Sequence, residues 1–303
     1  MVALLSAILA IAPDFSALAS DTNSLNVALS AGLDYYRGQV RYEIGNFNAG
    51  GSPVSQLTWP VKTVVASGKV SASSPVLEGR LQIGRNLGEG SGVIEDVDYA
   101  AFPDRETIHS ESQSHLALWN ADVDALRRIL PLHGDAAWSV WAGAGYIYRD
   151  MRWEATDLHQ WAPSSPDTPD AYIPGLAATY KASLNMPYLE LIARYSRPSW
   201  LLEGHVAYSP YLLIDDVDDH TLRGIRSDAL TDGQGLKWDI QGQWHFAGPW
   251  FLTAMAGGLD LYADGVEHSR QYGPDNSEIA WSMDRRMWIS ELHAQAGILC
   301  LLP

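Results

Sequence analysis

Along most of the chain, apolar and polar residues alternate with a period of two. Leu25, Val27, Leu29, Ala31, Leu33 and Tyr35 fall on one face of an extended segment, with Asn26, Ser30 and Asp34 on the other. Leu57, Trp59, Val61, Thr63 and Val65 repeat the pattern, as do Leu77, Leu81 and Ile83 against Glu78, Arg80 and Gln82. Ala117, Trp119, Ala121 and Val123 oppose Asn120, Asp122 and Asp124. The alternation is clearest at Trp238, Ile240, Trp244 and Phe246 against Lys237, Asp239, Gln241, Gln243 and His245. It returns at Trp288, Leu292, Ala294, Ala296 and Ile298 against Glu291, His293 and Gln295. Ten such segments occupy roughly 25–45, 55–70, 74–86, 112–126, 136–155, 174–196, 199–215, 234–247, 250–265 and 285–301. None carries a clear 3.6-residue period.

The linkers alternate too. Tight connections are predicted at Gly68 and Ser71–Ser74, Pro131–Gly134, Arg197–Ser199 and Ala247–Pro249; long polar ones at 86–113, 156–172, 216–233 and 265–284. Many polar faces carry charges in mid-segment. A soluble sandwich would turn that face to water, whereas a transmembrane barrel turns it to a polar lumen and sets the apolar face against lipid. An even strand number and the short/long alternation of linkers favour the barrel. The expected fold is all-β: a ten-stranded antiparallel transmembrane β-barrel with long extracellular loops, spanning 20–303. Residues 2–12 are apolar and Ala17-Leu18-Ala19 is a small-residue cleavage pattern, so residues 1–19 read as a signal peptide, although no Lys or Arg precedes the apolar run.

Composition sharpens this picture. No later apolar run reaches the roughly 18 residues of a membrane helix. The 303 residues hold 12 Trp and 14 Tyr against 5 Phe, an excess of amphipathic rings suited to membrane–water interfaces. Cys300 is the sole cysteine, which excludes an intrachain disulfide and a thiolate metal cluster. A formal net charge of −16 argues against nucleic acid and favours cationic partners.

The candidate chemistry lies in two acidic stretches on the long-loop side. Ile214-Asp215-Asp216-Val217-Asp218-Asp219-His220 follows a strand, and residues two apart share a side, so Asp216, Asp218 and His220 would face one way. A carboxylate beside an imidazole fixes its tautomer and favours its charged form, the arrangement of a general base. Asp96-Val97-Asp98 repeats the spacing; two carboxylates forced together raise one pKa and can hold a water. From the residues alone, a solvated acidic loop remains open at 214–220, and a calcium-binding loop or plain solvation at 96–98. Glu203 with His205, and Glu291 with His293, read as lumen networks, and Arg285-Arg286 as an interfacial or lumen pair. No phosphate loop, G-x-S-x-G or H-E-x-x-H occurs.

The chain resembles the omptin family of bacterial outer-membrane proteases. Ser55-Gln56-Leu57-Thr58-Trp59 is similar to that family's S-Q-L-x-W, and Val93–Tyr99 to its loop with a D-x-D pair. Asn185-Met186-Pro187-Tyr188 is similar to its x-M-P-Y segment, and Asp216-Val217-Asp218-Asp219-His220 to its D-x-D-[DE]-H. The order holds over most of residues 25–300. The resemblance implies an endopeptidase of the outer membrane with its site at the extracellular mouth, cleaving cationic peptides or extracellular proteins at basic residues. It implies that His220, oriented by Asp218, activates a water held by Asp96 and Asp98, without a metal or other cofactor. It implies further that Asp216 binds a basic substrate side chain and that His109 lies near the site; nothing in the sequence demands more than a monomer. Lipopolysaccharide is the lipid partner the resemblance implies; the matching wall positions are Asp150 and Ser183, beside Arg149 and Lys181. Two further positions depart from the family: Gln39 stands where a second substrate carboxylate is expected, and Pro303 where the chain should end in an aromatic. A non-catalytic barrel binding host or matrix proteins through its loops is the alternative.

Overall fold

A computed structural model describes residues 25–99, 105–131, 137–273 and 277–302; the expected leader and Pro303 lie outside them. The strands are β1 (Asn26–Gly45), β2 (Pro53–Ser73), β3 (Leu77–Asn86), β4 (Gly90–Tyr99), β5 (Glu106–Pro131) and β6 (Trp138–Trp161). They continue with β7 (Ala171–Arg197), β8 (Trp200–His220), β9 (Ile225–Ala247), β10 (Trp250–Tyr272) and β11 (Glu278–Leu302). Neighbours pair antiparallel, and β1 pairs with β11 from Val27–Leu302 to Gly45–Asp284, which closes the sheet and leaves no long open edge.

Eleven strands make ten staves, because β3 and β4 are two pieces of one stave, both lying between β2 and β5. The break falls at Leu87–Glu89, where Gly88 takes a positive φ of 76° that a side chain would strain. The Asn86 side chain patches the gap: its Nδ2 donates to the carbonyls of Gly88 and Leu116, and its Oδ1 accepts from the Leu118 N–H. Opposite the break, β2 is unpaired with this stave between Thr58 and Val65, and Pro60 has no N–H to offer. The Pro60 carbonyl is taken instead by Trp153 Nε1 at 2.8 Å, across the interior.

The outward face explains the alternation. Leu29 and Leu33 on β1, Leu189 and Leu191 on β7, Leu202 and Val206 on β8, and Leu236 and Ile240 on β9 are all exposed. They lie in the half of each strand nearest the tight turns at Pro198-Ser199 and Gly248-Pro249. Trp138, Tyr195, Trp200 and Trp250 border this belt at the turn end, and Trp119, Tyr148, Tyr262 and Trp288 at the other, where Trp119 meets Tyr148 and Tyr262 meets Trp288 in tilted ring contacts. An apolar band between two aromatic girdles is the exterior of a barrel in a bilayer.

Two expectations need correction. Most residues read as long linkers are paired strand: 216–220 end β8, 225–233 begin β9, 90–99 form β4, and 265–272 and 278–284 belong to β10 and β11. The strands run on beyond the apolar belt, where neither face meets lipid, so backbone pairing continues after the alternation that marks it in sequence has faded. Gly68 likewise sits inside β2, and the tight turn is at Ser74–Val76. The second correction concerns the interior, which is layered. Level with the belt it is polar, as Glu203, His205 and Glu291 suggest: Arg80 meets Asp124 at 2.8 Å, Arg194 meets Glu78 at 2.8 Å and Arg149 meets Glu291 at 2.6 Å. Above that lies a buried apolar layer that includes Val40, Leu57, Trp59, Met151, Leu184 and Met287, which fills the lumen. Its top is an aromatic floor of Trp59, Trp153, Tyr180 and Tyr42, each no more than 1% exposed, with ring centroids 4.9–6.0 Å apart.

Candidate active site

The mouth is built on this floor. On β8 the alternation directs Asp216, Asp218 and His220 inward, and β4 directs Asp96 and Asp98 inward from the far side. His220 Nε2 lies 3.4 Å from Asp218 Oδ2. The same carboxylate oxygen accepts a short hydrogen bond from the Tyr42 hydroxyl of β1. Asp218 is 1% exposed, so the dyad's acid is sealed in while the imidazole edge stays open. His220 and Asp96 line one cavity together with Leu57, Ile94, Ala178 and Leu222. The sequence-predicted acids and base are thus brought together from two strands on opposite walls.

The charges follow from this packing. Asp218 holds the His220 imidazolium and lifts its pKa to about 9, against the opposing effect of burial. Burial would raise Asp218, but His220 and the Tyr42 hydrogen bond win and hold it below the usual carboxylate range. Asp96 is pushed up to about 6, by burial first and by Asp98 second.

Two cations that sequence reading left out of the site stand within it. Arg223, on the four-residue turn after β8, reaches Asp96 at 4.0 Å and Asp98 at 3.9 Å. Arg285 of β11, read only as part of a pair, is 0% exposed; it meets Asp216 at 2.7 Å, an ion pair without hydrogen-bond alignment, and donates to Glu267 of β10. Its guanidinium stacks 3.6 Å from the centre of the Tyr42 ring. Arg286 points the other way, onto Phe47. Nothing local in the sequence signals these groups, because the partners come from four strands.

Three expected positions fall elsewhere. Asp216 is 1% exposed and already bound to Arg285, so it does not face open substrate space. His109 pairs with Val97, between the inward Asp96 and Asp98, and therefore lies on the opposite face; it stacks on Trp161 at 4.3 Å. Gln39 is exposed, between the buried Val40 and the inward Gly38. On the outer wall, strand parity turns Arg149 into the lumen, while Asp150 faces out and meets Arg152 at 2.8 Å and Lys181 at 3.6 Å.

Comparison with known proteins agrees with this architecture. A model of the omptin family matches residues 23–241. Among solved structures, the outer membrane protease OmpT of Escherichia coli aligns with a TM-score of 0.81 at 16% identity, over 94% of this chain and 100% of that one. The translocator domain of the autotransporter NalP of Neisseria meningitidis aligns with a TM-score of 0.38 at 8% identity, over 94% and 91%. No curated protein matches the chain in sequence. With its lipid-facing belt, its filled lumen and a family model that matches more than two thirds of its length, the chain belongs to the omptin family and is a β-barrel protease of the bacterial outer membrane.

Proposed function

We propose that this protease is an endopeptidase in which His220, oriented by Asp218, is the general base, and that its mouth faces the cell exterior. The observation that carries the reading is the His220–Asp218 pair opening onto a cavity that Asp96 shares. A water between His220 and the Asp96/Asp98 pair loses a proton to the imidazole as its oxygen attacks the peptide carbonyl. The imidazolium then returns the proton to the leaving amine. Asp96 and Asp98 hold the water, and Arg223 offsets their charge. No covalent acyl-enzyme forms.

Substrates are peptide or protein segments of cationic character, drawn by the excess of carboxylates. The preference for basic residues rests on this attraction along the substrate rather than on Asp216, which Arg285 neutralises. Among loop-binding barrels, nothing requires a sealed Asp218–His220 pair with a second carboxylate in the same cavity, which favours the enzyme over the non-catalytic alternative. The test is cleavage of a mixed set of cationic peptides by refolded protein in detergent, with products identified by mass. Turnover unaffected by chelator is expected; no turnover from folded protein, with and without lipopolysaccharide, would overturn the His220 mechanism.

The outer wall carries a second part of the proposal. Arg152 and Lys181, with side chains 63% and 46% exposed, flank Asp150 at the upper edge of the apolar belt and suit a lipopolysaccharide phosphate. Replacing both by alanine should abolish stimulation of turnover by added lipopolysaccharide while leaving the unstimulated rate unchanged. Retained stimulation would remove this wall from the lipid-binding role. The protein is expected to do this as a monomer, since the site is complete within one chain.

A further inference from the structure

The side chain beside the scissile bond must lie next to His220, and two features decide what it can be. The first is the cavity itself. Its wall beside His220 and Asp96 includes the apolar Leu57, Ile94, Ala178 and Leu222 and the cationic Arg223, and offers no carboxylate other than Asp96. Ser110, 3% exposed, also lines it, and its hydroxyl has no hydrogen-bond partner among the described residues. A buried hydroxyl without a partner costs free energy until something meets it, and a peptide N–H or carbonyl entering this cavity would do so.

The second feature is Arg285. One step down β8 from the dyad, Asp216 and Glu267 face each other with the rings of Tyr42 and Tyr180 close by, a set of groups suited to a guanidinium. The chain's own Arg285 already occupies it, fully buried. Burial raises the Asp216 pKa to about 7 despite Arg285, so near neutral pH this cage carries little charge for a second cation. The space that reads a side chain is therefore the apolar one.

We propose that the protease selects an uncharged apolar side chain next to the cut, lodged between Leu57, Ile94, Ala178 and Leu222, and that Arg285 acts as a built-in occupant closing the Asp216/Glu267 cage to basic side chains. This rests on the assignment of His220 as base. It divides recognition in two: long-range attraction for cationic chains, and an apolar anchor at the reacting bond.

The test uses the full barrel refolded in detergent. Two peptide series share the same basic flanks; one varies the residue before the cut and the other the residue after it, with Leu, Phe, Arg and Lys at the varied position. One series should show kcat/KM at least about tenfold higher for Leu or Phe than for Arg. Leu222→Asp, at an exposed turn residue, should lower the apolar peptides by about tenfold and spare the Arg peptides. Arg285→Ala should raise cleavage at Arg, and added guanidinium ion should reverse that gain. Equal or better cleavage at Arg by the wild-type protein in both series would overturn the proposal while leaving the protease standing. So would a Leu222→Asp profile identical to wild type, a result that does not depend on whether Arg285→Ala folds. Absence of any cleavage in either series would instead overturn the assignment of His220 beneath it, and this proposal with it.

Discussion

Replacing His220 by alanine is expected to lower turnover by about 10²–10⁴-fold, the usual contribution of a general base, while the barrel folds as before. The imidazole packs at the open edge of its cavity rather than in the core, so its loss leaves the aromatic floor intact. The pH dependence carries more information. With a pKa of about 9, His220 is charged at neutral pH, and only about one molecule in a hundred holds the free base at pH 7. On peptides that do not themselves titrate there, kcat/KM should rise close to tenfold per pH unit up to about 9. Asp218 is the first cause of that high value, so Asp218→Asn should draw the limb down toward about 6.5 as well as slow the reaction. The linked stability runs the other way. Because the folded pKa is raised, the ion pair's contribution is fully present below about 6.5 and is lost as the pH rises through about 9. The enzyme should therefore become more active and less stable over the same window. A limb that stays in place in Asp218→Asn would mean that another group titrates, and would remove His220 from the base role.

Trp153→Ala is expected to cost about 3–5 kcal/mol of folding stability, measured by urea unfolding in detergent. The indole is 1% exposed, stacks on Tyr180 at 5.4 Å, and donates its Nε1–H to the Pro60 carbonyl beside the break in the stave. Trp59→Phe provides the contrast. Trp59 is 0% exposed, but its Nε1 has no hydrogen-bond partner, so phenylalanine removes a buried unsatisfied donor along with some volume. It should cost clearly less than Trp153→Phe, which loses the hydrogen bond to Pro60. Equal costs would mean that the Trp153–Pro60 bond contributes nothing to holding the interrupted stave.

The barrel was legible in the chain because lipid enforces it. Wherever a strand crosses the bilayer, every second residue from Leu29 to Leu33 or from Leu236 to Ile240 has to be apolar, and that period of two survives in the sequence whatever the lumen holds. The paired acids at 96–98 and the Asp218–His220 spacing were legible for the same geometric reason, since residues two apart on a strand share a face wherever the strand runs. Beyond the belt that constraint is gone, so β4 and the outer ends of β8 to β11 read as polar linkers although their backbones stay paired. Parity alone could have turned His109 and Gln39 away from the site, but parity needs a register, and register is a property of two strands at once. Tyr42, Glu267 and Arg285 lie on three other strands, and they meet Asp216 and Asp218 only when the sheet closes. Taken alone, the chain specifies a lipid-facing barrel and the acids and base that share its mouth. Closure of the sheet settles which carboxylates remain free, because a buried cation from across the barrel neutralises Asp216 through space, where no spacing along the chain records it.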